Sequence, residues 1–173
     1  MALLPPGTPA PDFEARRPDG SIVRLSELRG RFVLVYFYPK DNTPGCTVEA
    51  CSLNRSIDDL EECGAEVIGV SFDSSDSHRQ FQQRYDLRFP LAADRDHAIA
   101  RAYGVPRMLG ILPVAKRVSF LVDPEGRIAE VWPSVNPQRH AADVLAAVRR
   151  LGGAATLRGE AARAAETTAP HRR

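Results

Sequence analysis

Two cysteines five residues apart stand in the run Tyr38-Pro39-Lys40-Asp41-Asn42-Thr43-Pro44-Gly45-Cys46-Thr47-Val48-Glu49-Ala50-Cys51, between an apolar stretch and an amphipathic one. Thr43 is a preferred N-cap residue, and Pro44 suits the first helical position, where a missing N–H costs nothing. Cys46 therefore falls in the first turn of a helix. The unpaired backbone N–H groups and the positive dipole end found there favour a thiolate, the nucleophilic form of cysteine. The same donors can hold an oxygen on which charge develops. This grammar also fits a small buried thiol behind a Pro-Gly turn, and spacing by itself does not separate the two.

The elements that must position this loop can be read on either side of it. Phe32–Tyr38, Glu66–Asp73 and Arg117–Asp123 are near-continuous apolar runs, which predicts strands covered on both faces. Arg127–Trp132 follows the turn Pro124-Glu125-Gly126, so Arg117–Trp132 reads as a hairpin. Helices are predicted over Pro44–Glu62, Ser77–Tyr85, Asp96–Tyr103 and Pro137–Leu151, the last stopping at Gly152-Gly153. A small N-terminal hairpin is predicted where Asp12–Phe13 and Ile22–Leu25 flank Pro18-Asp19-Gly20. Alternating strands and helices define an α/β domain with a central mixed β-sheet.

Residues 1–152 read as one domain. Residues 153–173 hold almost no large apolar side chain beyond Leu157, which predicts a mobile tail, with a frayed helix across Glu160–Glu166 as the alternative.

Composition narrows the function. With 23 basic and 22 acidic side chains the net charge is +1, and the arginines are scattered, which argues against nucleic acid or an acidic membrane as partner. Only four residues precede Pro5-Pro6 and no basic n-region is present, so no secretory signal is predicted and a cytoplasmic location is. Three cysteines, Cys46, Cys51 and Cys63, make an odd count that fits reactive or buried thiols better than a disulfide framework. His78, His97, His140 and His171 show no i,i+3 or i,i+4 pairing, which argues against a zinc site, and no cofactor is expected. Trp132 is assigned to packing.

Pro39-x-x-x-Thr43-x-x-Cys46 resembles the active-site motif of the peroxiredoxins. Thr43-Pro44-Gly45-Cys46-Thr47-x-Glu49-x-Cys51 is similar to their Q-type subfamily, the bacterioferritin comigratory proteins. The resemblance extends over about residues 6 to 151 through Val70–Asp73 with Ser77-His78, Phe89-Pro90-Leu91 with Asp94, Tyr103-Gly104-Val105 and Arg117-x-x-Phe120-Leu121-Val122-Asp123-Pro124-x-Gly126.

It implies a thioredoxin-like fold and a thiol peroxidase. Cys46 would be the peroxidatic cysteine, Cys51 the resolving one, Thr43 the hydroxyl that orients the peroxide, Pro39 a shield, and Arg117 a fixed cation beside the thiolate. The implied partners are a hydroperoxide and thioredoxin or a similar dithiol reductant, with a monomer common in the subfamily. Glu49 is read as a helix-start or salt-bridge carboxylate outside the catalytic set, and Cys63 as incidental. The stretch Met108–Val114 is more apolar than this subfamily's loop and reads as core or as an apolar rim. Rival readings are a thiol–disulfide oxidoreductase, disfavoured by four residues between the cysteines instead of two, and a non-catalytic binding module, disfavoured by the intact Pro39, Thr43 and Arg117.

Overall fold

The computed structural model describes residues 2–108 and 113–167, the side chains at 153–162 and 164–167 apart. Short β1 (Glu14–Arg16) and β2 (Ile22–Arg24) form the N-terminal hairpin, followed by a 3-10 turn at Leu25–Leu28. Then come β3 (Phe32–Phe37), α1 (Pro44–Arg55), α2 (Ile57–Glu62), β4 (Ala65–Ser71), α3 (Ser75–Tyr85), β5 (Leu91–Ala93), α4 (Ala98–Tyr103), β6 (Val118–Val122), β7 (Ile128–Trp132) and α5 (His140–Thr167).

The strands make one sheet in the order β2-β1-β5-β4-β3-β6-β7. β3, β4 and β5 run parallel, while β6, β7 and the hairpin are antiparallel to their neighbours. The central strands are apolar on both faces because both faces are covered. Val33, Val35 and Phe37 point to one core with Tyr103, Val118 and Phe120. Leu34, Tyr36 and Tyr38 point to the other, against Leu53 and Leu60 of the α1–α2 segment, Phe81 of α3 and Val144 of α5. Each fully buried side chain of this kind contributes roughly 1.5–3 kcal/mol. Gly69 of β4 makes room for one of them, since a Cβ there would lie 2.9 Å from Cζ of Tyr36.

Several predicted bounds move: the first hairpin strand falls at Glu14–Arg16 rather than Asp12–Phe13, α3 starts at Ser75 rather than Ser77, α4 at Ala98 rather than Asp96, and α5 at His140 rather than Pro137. The helix expected over Pro44–Glu62 pivots at Ser56, whose φ of −94° and ψ of 5° are those of a turn rather than a helix. The last helix does not stop at Gly152-Gly153 but continues to Thr167. Glycine lowers helix propensity without ending a helix, and the Ala, Arg and Glu that follow are strong helix formers. β5 was not predicted, since three residues behind Pro90 are too few to show a period.

Among the described residues no helix is long and apolar enough to cross a membrane. Of the apolar stretch Met108–Val114, residues 109–112 lie outside the described residues.

Candidate active site

The C-terminal end of β3 delivers the chain to α1 through a loop whose first half is firmly held. Asp41 is buried. It accepts the Tyr38 hydroxyl at 2.6 Å, the Ser77 hydroxyl at 2.8 Å and His78 Nδ1 at 2.8 Å. Its own backbone N–H donates to Asp73 Oδ2 at 2.9 Å, which also accepts Ser71 Oγ at 2.7 Å. His78 Nε2 reaches the Ala92 carbonyl at 3.1 Å. Asp41, Asp73 and His78 thus bring three potential metal-ligand atoms within 4.8 Å of one another. Both Asp41 oxygens and Asp73 Oδ2 already accept hydroxyl, imidazole or backbone N–H donors, and His78 Nε2 faces a carbonyl, so the chemistry of this donor set is that of a hydrogen-bonded anchor.

Beyond the anchor Asn42 takes a φ of 61°, a conformation that asparagine tolerates better than most residues. Thr43 then occupies the N-cap with extended backbone, and Pro44 opens the helix as its sequence position requires. The Thr43 hydroxyl does not cap the helix. It donates to the Lys40 carbonyl at 2.8 Å instead.

Cys46 lies in the first turn of α1 and is almost fully buried, at 1% exposure. Arg117, immediately before β6, donates from Nη2 to Cys46 Sγ at 3.3 Å. Its Nη1 donates to Oε2 of Glu49, one turn along α1 from Cys46. One guanidinium therefore spans the thiol and the carboxylate. Gly45 permits the approach, because a Cβ at that position would come within 3.2 Å of Arg117 Nη2. Burial pushes the Glu49 carboxyl up to about 7 even though the Arg117 charge and hydrogen bond pull the other way. Behind it stand His140 and Ser119, joined at 2.8 Å. Burial pushes the His140 imidazole down to about 4.

Of the residues singled out in the sequence, the structure joins Cys46 directly to Arg117. Thr43 stands at the start of the same helix, with its hydroxyl turned to Lys40. Pro39 lines a cavity of about 290 Å³ with Lys40, Phe72, Asp73, Pro113 and Val114, and neither Cys46, Thr43 nor Arg117 is in that lining. Cys51 is half-buried on α1 and Cys63 half-buried at the end of α2, and all three thiols are free. Sequence reasoning passed over His78 and His140. His78 pairs with Asp41 and His140 stands 3.9 Å from Glu49, both acids far away in the chain, where short-range spacing gives no signal.

A buried thiol against a guanidinium at a helix start is suited to nucleophilic attack on an O–O bond. The AhpC/TSA family profile matches residues 6–131. The chain belongs to the AhpC/TSA family. Peroxiredoxin Bcp of Bacillus subtilis is 39% identical over 147 residues, covering 80% of this chain and 91% of the relative. A structure of the Xanthomonas campestris bacterioferritin comigratory protein, solved in connection with its alkyl peroxide reduction activity, aligns with a TM-score of 0.74 and 33% identity. It covers 81% of this chain and 92% of that one. A mutant of Xylella fastidiosa peroxiredoxin Q aligns with a TM-score of 0.80 and 29% identity, covering 87% of this chain and 98% of that one. Within the AhpC/TSA family the chain is thus a peroxiredoxin of the Bcp/Q type, a thiol-dependent peroxidase on a thioredoxin-like fold.

Proposed function

We propose that Cys46 is the peroxidatic cysteine and Cys51 the resolving one. The Cys46 thiolate attacks one oxygen of ROOH, the O–O bond breaks, and the alkoxide or hydroxide leaves and takes a proton to become ROH or water. Cys46 is left as a sulfenic acid. The Cys51 thiol then displaces water from that sulfenic acid to form the Cys46–Cys51 disulfide, which an external dithiol of the thioredoxin type reduces. Arg117 holds the thiolate and meets the charge that develops on the peroxide oxygens, Thr43 orients the substrate and Pro39 shields the pocket. The observation that carries this reading is the single guanidinium against Cys46 Sγ and Glu49.

The alkyl peroxide reduction activity of the Xanthomonas relative supports organic hydroperoxides beside hydrogen peroxide as substrates. A monomer in the cytoplasm, with residues 1–152 as the catalytic unit, completes the proposal. The test is a peroxidase assay coupled to thioredoxin and its reductase, with hydrogen peroxide and an organic hydroperoxide as alternatives. Cys46→Ser is expected to abolish turnover and Cys63→Ser to leave it nearly intact. Turnover by Cys46→Ser near the parental rate refutes the assignment.

A further inference from the structure

Glu49 is buried to 0% exposure, and only one of its oxygens is used. Oε2 accepts from Arg117, whereas Oε1 has no hydrogen-bond partner among the described residues. A buried carboxylate oxygen without a donor keeps its desolvation cost uncompensated, so a fold that keeps one has a use for it or a donor within reach. The donor within reach is His140 of α5, whose Nε2 lies 3.9 Å from Oε1. That nitrogen is also 2.8 Å from the hydroxyl of Ser119, two residues after Arg117 on β6. Trp132 packs edge-on against the imidazole, with ring centroids 5.6 Å apart, and limits where the ring can go.

We propose that His140 is a positioning residue for the peroxide step: sharing its Nε2 proton between Ser119 Oγ and Glu49 Oε1, it steadies Glu49 and so fixes the Arg117 guanidinium against Cys46. This rests on Cys46 being the peroxidatic cysteine. A shift of about 1 Å turns the 3.9 Å contact into a hydrogen bond. The donor matters because ionised Glu49 grips Arg117 through a charge-assisted pair, whereas the protonated acid offers only a neutral acceptor.

The titratable groups that face this carboxyl are Arg117 before β6, Cys46 on its own helix and Tyr36 of β3, with His140 and, behind it, Asp143 from α5. Burial holds His140 uncharged at neutral pH, so it serves as a neutral N–H donor rather than a second cation. The push of burial on Glu49 to about 7 places the carboxyl where one lost donor changes its charge in the working range.

The experiment measures the second-order rate constant for oxidation of Cys46 by hydrogen peroxide as a function of pH, in single turnover, for the full chain. His140→Leu is expected to lower the constant about tenfold at pH 7 and to move the acid limb of the profile up by about one unit, because losing a donor to the charged form favours the protonated acid. His140→Gln, which keeps an N–H, restores most of both. In a Glu49→Gln background, His140→Leu brings no further loss. Parental rate and profile in His140→Leu overturn the proposal, as does a loss of equal size in the Glu49→Gln background, which marks a purely structural role. Should His140→Leu fail to fold by circular dichroism, Ser119→Ala takes its place: with its second acceptor gone the Nε2 proton goes to Glu49 alone, so the acid limb is expected to fall, and an unmoved limb overturns the proposal. Cys46→Ser, run in parallel, separates the two failures: inactive Cys46→Ser with parental His140 variants sinks this inference alone.

Discussion

Two buried polar clusters flank Cys46, and they are built to different standards. At the end of β3, both oxygens of Asp41 are taken by Tyr38, Ser77 and His78, and the neighbouring Asp73 receives a backbone N–H and a hydroxyl. Beneath α1, Glu49 shares one oxygen with Arg117 and leaves the other bare. Fully satisfied networks rigidify, while an unpaired buried polar group remains costly. The first cluster is scaffold. The second touches Cys46 Sγ through Arg117.

Function breaks most easily at the second cluster. Arg117→Ala is expected to slow Cys46 oxidation by about 100-fold or more, since it removes a preorganised cation from the reacting centre. Lysine restores the reaction only in part, because it cannot span two acceptors with a planar fork. Stopped-flow oxidation with a thermal melt of the same samples checks this, and a parental rate would make Arg117 an ordinary surface charge.

Stability breaks most easily at the first cluster. Asp41→Ala strips the buried Tyr38 and His78 and the half-buried Ser77 of their acceptor, for an expected loss of about 3 kcal/mol, or a midpoint lower by roughly 6–12 °C. The oxidation rate of the folded fraction is expected to fall far less than in Arg117→Ala. Equal damage to rate and stability in both variants erases the distinction between the clusters.

The smallest effect sharpens the comparison in the oxidised state. Positions five apart on a helix differ by roughly 140° around the axis and about 7.5 Å along it. A disulfide needs Cα atoms about 4.4–6.8 Å apart, so Cys46 and Cys51 cannot join within the continuous α1. Hydrogen exchange is expected to quicken from about Thr47 to Leu53 on oxidation, while β3 and the Asp41 N–H keep their protection. Unchanged exchange in α1 would mean that the disulfide does not form by local unwinding.

The parts of this arrangement that were legible in the sequence are those written in short-range signals. Apolar runs placed β3, β4, β6 and β7 to within about two residues, and Thr43-Pro44 placed the start of α1 correctly. Arg117 was found through the motif that follows it, whereas Glu49 was read as a helix-start or salt-bridge carboxylate and left outside the catalytic set. The Thr43 hydroxyl was not, because the cap grammar does not reveal that the Lys40 carbonyl competes for it. Nor were the two histidines. His78 meets Asp41 from α3, and His140 meets Glu49 from α5, and such pairings exist only once the sheet has brought the elements together.

The sheet order also settles how the molecule behaves in a crowd. An open sheet ends in rows of unpaired backbone groups that invite another chain to add a strand. Here one border is β2, three residues long, with Arg24 clasped by Asp12 and Glu14. At the other border, β7, Glu130 is tied back to Arg150 of α5. Without the N-terminal hairpin, the parallel strand β5 would itself be a border, opened against apolar β4. The hairpin that looks remote from the thiol chemistry is therefore the element that keeps a parallel sheet from recruiting its neighbours, and its loss would show first as aggregation.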